Sequence, residues 1–146
     1  MNLKNENGLM SQLLKRDVIS INENKPVFNA IKLLNEKNIG ALPVLNDSAE
    51  LCGIISERDI IRSMSQDIGT NFKKCLINSI MTSNVITISN NAISEDIMDI
   101  MTKNKIRHIP IVENKLLMGI VSIGDVVKRL LEKFNLENQH LKSWLY

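Results

Sequence analysis

Aromatic residues are scarce: three Phe, one Trp and one Tyr make up 3% of the 146 residues. Single-stranded nucleic acids are held largely by stacking on aromatic faces, so this composition argues against such a partner. Histidine is scarcer still, with His108 and His140 alone, too few for a recognisable metal site. There is no glycine-rich Walker loop with its lysine and no nucleophile at motif spacing from a histidine, so the chain reads as a non-enzyme. The two cysteines, Cys52 and Cys75, form neither a CxxC nor a paired metal-ligand spacing, and Cys52 lies in an apolar run where it would pack as a small hydrophobe. A reduced compartment fits. No block of one charge sign exists either: 18 basic and 16 acidic side chains are interspersed, for a net charge of +2. No polyelectrolyte partner is demanded. No apolar run reaches membrane-spanning length, and the first residues lack a charged, then apolar, then small-residue pattern. The expectation is a cytoplasmic protein with no membrane or nucleic-acid partner.

What is present is aliphatic and repeated. An apolar content of 44% is ample for a core built from Ile, Leu, Val and Met, in one compact domain or two small halves sharing an interior. Two runs carry one pattern: Gly53-Ile54-Ile55-Ser56-Glu57-Arg58-Asp59 and Gly119-Ile120-Val121-Ser122-Ile123-Gly124-Asp125. Glycine with β-branched residues reads as a strand, and serine with an acid three residues on reads as the N-cap and N3 of a helix. Each run is therefore a strand turning into a helix. A helix start offers unpaired N–H groups and the positive end of the macrodipole to a phosphate, while a nearby carboxylate can hold a ribose diol. That combination points to a nucleotide. The plainer reading of the same residues is a capping box that ties off each helix with no ligand.

Before the first run, residues 1–10 are a loose polar lead-in. Asp17 to Ile21 alternates as a strand, and a helical period from Val27 runs out near Asn38-Ile39-Gly40. Ala41 to Leu45 is a strand with proline near its start, Asn46-Asp47-Ser48 is turn chemistry, and Leu51 to Ser56 returns as the hairpin partner. The helix after Ser56 runs from Glu57 to about Ser65, with Ile60, Ile61 and Met64 facing inward. A shift of 67 residues then superposes Val18-Ile19 on Val85-Ile86, Ile21 on Ile88, Ile39 on Ile106 and Pro43 on Pro110; past the hairpin turn the shift is 66. A single residue lost in a surface turn is what a structural duplication tolerates. The units are 11–66 and 78–134, joined by a linker at 67–77. Neither half alone would bury a sufficient core, so the two pack face to face. Met98, Met101 and Met118 read as core filler. The stripe Val126, Val127, Leu130, Leu131, Phe134 extends into a tail, 135–146, with Leu136, Leu141, Trp144, Leu145 and Tyr146. It either covers its own fold or packs on a partner chain.

The order of elements, the doubled Gly-x-x-Ser-x-x-Asp and the doubled apolar-x-x-Pro-apolar segments, Ile39 to Val44 and Ile106 to Ile111, resemble the cystathionine-β-synthase (CBS) domain. The resemblance spans about Gly8 to Phe134 and is similar to a stand-alone tandem pair, or Bateman module. It implies an α+β fold of two βαββα units packed face to face with pseudo-two-fold symmetry, and adenosine-nucleotide binding in the cleft between them. On that resemblance Asp59 and Asp125 hold ribose hydroxyls, and Ser56 and Ser122 lie near ribose or phosphate. The backbone around Ile39, Ala41 and Leu42, with Pro43 following, and around Ile106 to Ile109, before Pro110, reads the adenine edge. Val18, Ile19, Val85 and Ile86 form apolar walls.

The two implied sites are unequal. Arg58 can present a bidentate fork to phosphate where its counterpart is Gly124, whereas Arg107 and His108 correspond to Gly40 and Ala41. In a face-to-face pair, Arg58 and the Arg107-His108 pair converge on one phosphate chain, which favours the cleft containing Asp59. Arg58 as a solvated surface residue and His108 as a structural histidine are the plainer alternatives. The modest cation set suits AMP over the more highly charged ATP unless Mg²⁺ screens it, with ADP and NAD(H) as open alternatives. The reading is a regulatory module, expected to be a homodimer, that senses an adenine nucleotide and signals to a client protein. The competing reading is a homodimeric interaction scaffold with empty clefts.

Overall fold

The computed structural model describes residues 8–67, 69 and 71–145. The first half contains α1 (Leu9–Leu13), β1 (Ile21–Asn22), α2 (Val27–Lys37), β2 (Ala41–Leu45), β3 (Leu51–Ser56) and α3 (Glu57–Gln66). After a 3-10 turn (Ile77–Ser79), the second half contains α4 (Ser94–Asn104), β4 (His108–Glu113), β5 (Leu116–Ser122) and α5 (Ile123–Leu145). The sheets are β1-β2-β3, with β1 parallel and β3 antiparallel to β2, and the antiparallel pair β4-β5.

The repeat is visible bond by bond. Pro43 sits opposite Ile54 and Pro110 opposite Ile120, and the ladder is irregular between Val44 and Leu45 and again between Ile111 and Val112. α2 and α4 both end on a left-handed residue, Asn38 (φ 53°) and Lys105 (φ 54°). The hairpins differ where the deletion falls. In the longer turn the Asn46 side chain accepts the N–H groups of Ser48 and Glu50, while Asn114 and Lys115, both at positive φ, close the shorter one as a two-residue turn.

Several expectations are corrected. The first strand is not Asp17–Ile21 but Ile21–Asn22, and its counterpart in the second half shrinks to one parallel bridge, Ile88 to Ile111. Proline is the cause. Ile88 N–H donates to Pro110 O and Val112 N–H to Ile88 O. The next donor back along the ladder would be the N–H that Pro110 lacks, and Pro43 stands at the same place in the first half. Ile61 and Met64 do not face inward; they are 65% and 51% exposed, and Ile60 alone of that trio is buried. Met118 is exposed on β5, whereas Met101 is buried and Met98 packs beside it. Residues 135–145 are not a separate tail but continue α5, and Leu136, Leu141 and Trp144 there remain exposed. Leu9 and Met10, read as lead-in, belong to α1; residues 1–7 and Tyr146 lie outside the described residues.

The two cores are exchanged at their edges. One consists of Val27, Ala30, Leu34, Leu42, Val44, Ile55 and Ile60 from the first half, completed by Ile77 at the end of the connecting segment, with Ile80 and Met81 of the second half packed on it. The other consists of Ile88, Ile97, Met101, Ile109, Ile111, Val121 and Val126, completed by Leu9 and Leu13 of α1. Each half thus closes the interior of the other. The connecting segment also caps α2, whose first N–H groups at Val27 and Phe28 donate to Cys75 O and Phe72 O.

Candidate functional site

Asp59 and Asp125 both close their helices. Ser56 N–H donates to Asp59 Oδ2 at 2.8 Å, Ser56 Oγ–H to the same oxygen at 3.0 Å, and Asp59 N–H returns to Ser56 Oγ at 3.3 Å. Ser122 and Asp125 repeat the arrangement at 2.9, 3.0 and 3.2 Å. The plain capping-box reading is therefore true of both. It does not exhaust either acid, because each leaves Oδ1 for other partners.

Those partners differ. Asp59 is 5% exposed, its Oδ1 accepts from Thr82 Oγ1 at 3.1 Å, and Arg62 stands 3.6 Å away, one turn along α3. Thr82 is delivered by the backbone: its N–H and C=O pair with Ile54 on β3, both at 2.9 Å. Asp125 is instead gripped by Arg16, whose Nη1 and Nη2 reach Oδ1 at 3.2 Å and Oδ2 at 2.9 Å. A guanidinium fork thus covers one acid, while the other is aimed by a neutral hydroxyl.

Asp59 lines a cleft of about 940 Å³ built from both halves. Gly40, Ala41, Ile54, Ser56, Glu57, Arg58, Ile61 and Arg62 come from the first. Thr82, Asn84, Val85 and Ile86, the loop and helix end Met101, Thr102 and Asn104 to His108, and Ile123 come from the second. The cleft straddles the pseudo-two-fold: Glu57 N–H donates to Gly40 O at 3.0 Å, as Ile123 N–H donates to Arg107 O at 2.8 Å. A Cβ on Gly40 would lie 3.1 Å from the His108 ring, so the missing side chain is what lets that imidazole cross to the other unit. Four guanidinium or ammonium groups, on Arg58, Arg62, Lys105 and Arg107, outnumber the carboxylates of Glu57 and Asp59. The lining also includes the aliphatic side chains of Ile54, Ile61, Val85, Ile86 and Ile106. A ligand that carries both an anionic group and a flat apolar group would find side chains of matching chemistry here.

Burial lowers the His108 pKa below its ordinary value, and Arg107 adds to this against the opposing pull of Glu57 and Asp125. His108 therefore enters the cleft as a neutral imidazole at pH 7, a donor or acceptor but not a cation. For Asp125, partial burial pushes the carboxyl up, but the Arg16 fork and the Ser122 N–H and hydroxyl together hold it below the ordinary aspartate value. Away from the cleft, burial and the nearby Glu23 carboxylate push the Cys52 thiol up to about 11, and its Sγ donates towards Glu23 Oε2 and Val44 O. It behaves as an inert core thiol. Among the described residues no group of His, Cys, Asp and Glu is placed to hold a metal ion, and no helix is long and apolar enough to cross a membrane.

Of the residues singled out from the sequence, Ala41, Ser56, Arg58, Asp59, Val85, Ile86, Ile106, Arg107 and His108 come together on this cleft. The others do not. Leu42, Pro43, Ile109 and Pro110 have their side chains buried, and Ile39 packs on the first core. Val18 and Ile19 lie on the lead-in to β1, Val18 exposed and Ile19 against the first core, while Ser122 and Asp125 are occupied by their cap and by Arg16. Thr82 and Arg62 were missed. Arg62 carried a readable signal, three residues after Asp59 on the same helix; Thr82 carried none, since its counterpart in the repeat is Lys15.

The CBS domain family model matches residues 10–66 and again 77–132. A mitochondrial CBS domain-containing protein of Arabidopsis thaliana, CBSX3, is 36% identical over 123 residues, which are 82% of this chain and 59% of that protein. The chain spans less still, 43%, of protein MJ1225 of Methanocaldococcus jannaschii, at 31% identity over 85% of this chain. Among solved structures, the CBS-domain containing protein ATU1752 of Agrobacterium tumefaciens superposes with a TM-score of 0.76 at 33% identity, over 83% of this chain and 89% of that one. The CBS domain pair of protein MJ0100, solved in complex with 5′-methylthioadenosine and S-adenosyl-L-methionine, gives 0.75 at 29% identity, over 86% and 96%.

Proposed function

The chain belongs to the CBS-domain family, and from that premise we propose that its cleft binds the adenosine part of an adenine nucleotide and relays occupancy to a partner protein without catalysing a reaction. The observation that carries this reading is Asp59: a carboxylate almost wholly buried, aimed by Ser56 and Thr82, at the edge of a cleft rich in guanidinium groups. Ser56 takes two of its acceptor sites and Thr82 a third, and the one left on Oδ1 suits a ribose hydroxyl. The base would lie against the aliphatic wall of Val85, Ile86 and Ile106, and phosphate would meet Arg58 and Arg107. The related pair of protein MJ0100 holds two adenosine derivatives, which supports adenosine as the shared element. Here the excess of cations favours ligands that carry phosphate, AMP, ADP or ATP, with NAD(H) presenting the same half. Binding regulates only if the two arrangements of the units differ in affinity for the ligand, and a cleft walled by both units has the means to differ.

Calorimetry and thermal shift with AMP, ADP, ATP, NAD(H), 5′-methylthioadenosine and S-adenosyl-L-methionine test the reading. Saturable binding of at least one phosphate-bearing ligand is expected, lost in Asp59→Ala and retained in Asp125→Ala. Equal losses in the two variants would remove the preference for this cleft. Silence across the whole panel would leave the interaction scaffold as the better account.

A further inference from the structure

Helix α5 has two apolar faces, and the fold uses one. Val126 is buried in the second core and Leu130 packs against it. About 100° around the helix, Val127, Leu131, Phe134 and Leu141 form a second stripe whose side chains are exposed, Leu131 at 57% and Phe134 at 63%. With Asn138, these positions recur at steps of four, three, four and three, the seam of a heptad repeat: Val127, Phe134 and Leu141 at d, Leu131 and Asn138 at a. From Phe134 to Trp144 every side chain of the helix is exposed.

We propose that α5 is a dimerisation helix, pairing along this seam with α5 of a second copy as a parallel two-stranded coiled coil. The residues beside the seam choose that occupant and that direction. Glu137 falls at g and Lys142 at the following e, the pair that meets across a parallel dimer, so each chain supplies the acid of one interchain ion pair and the base of the other. The antiparallel alternative sets e beside e, bringing the like charges of Lys128 and Lys142 together. Asn138 at an a position meets its own copy only in the parallel, in-register arrangement, where each carboxamide both donates and accepts. This pairing is independent of what the cleft binds. It gives the cleft an output, because α5 begins at Ile123 on the cleft wall and runs unbroken into the seam.

Sedimentation equilibrium of the full chain is the test, with NMR methyl dispersion confirming intact cores. A dimer is expected at micromolar concentration, with its dissociation constant raised at least tenfold by Phe134→Glu, a substitution at an exposed position outside both cores. Glu137→Lys and Lys142→Glu should each weaken the dimer, and the double swap should restore it. A monomer at every concentration, which would leave the seam to a different occupant, overturns the proposal. So does a dimer indifferent to Phe134→Glu, a double swap no better than the sum of the single ones, or a Lys142→Glu variant that associates more tightly.

Discussion

At the scale of single residues, the site depends on how the same side-chain type is held in two places. Asp59 and Asp125 share a capping box to within a few tenths of an ångström, yet one also takes a threonine hydroxyl and the other a guanidinium fork. Sequence reasoning identified both acids and could not rank them on these grounds, because Thr82 and Arg16 are distant in the chain from what they touch. His108 supplies a test. Its pKa is depressed in the folded chain, so the neutral ring contributes stability that is complete above the ordinary value of about 6.5 and is lost as pH falls through the lower folded value. Between about pH 7.5 and about 5, wild type should lose more stability in urea melts than His108→Gln, which cannot titrate. Parallel losses in the two proteins would place His108 in a more solvated setting than the one described.

Among the elements, the edge of β3 decides where the cleft is furnished. Gly53 lies against the Met81 side chain, and a Cβ there would overlap the Met81 sulfur. Their close approach lets Thr82, the next residue, pair with Ile54 and aim its hydroxyl at Asp59. Gly53→Ala should therefore cost about 1–3 kcal/mol of overpacking and also weaken ligand binding. Gly53→Ala with Met81→Ala should regain the ligand response more fully than the stability, since the second substitution removes the clash but leaves a void. A thermal-shift series on the two variants reads both effects. An unaltered melting temperature in Gly53→Ala would mean that the flexible Met81 side chain swings aside without cost. The hairpins, by contrast, were legible from turn chemistry and proline placement, and the shortened first strands follow from the same prolines, whose missing N–H interrupts the parallel ladder.

For the whole molecule, Arg16 and Asp125 form a strap between the lead-in of one half and the helix of the other. Asp125 has a depressed pKa when folded, so its contribution is present above the ordinary aspartate value of about 3.9 and is lost as pH falls through the lower folded value. Arg16→Ala should lower stability near neutrality by about 1 kcal/mol or less, because the guanidinium is largely solvated, and should flatten the acid limb. Chemical melts of both proteins from neutral pH downward check it; an unchanged acid limb would show that the pair is not maintained in solution. The duplication, the strand-to-helix turns, the capping boxes and the lopsided basic groups can all be read from the linear chain, since each depends on residues close in the chain or on a fixed offset between copies. Which acid faces the open cleft, which half each edge segment completes and which stripe of α5 stays bare emerge from the folded packing alone. Those outcomes turn on contacts such as Arg16 with Asp125, 109 residues apart, and Leu13 in the second core, where chain separation erases any local pattern and burial alone selects the partner.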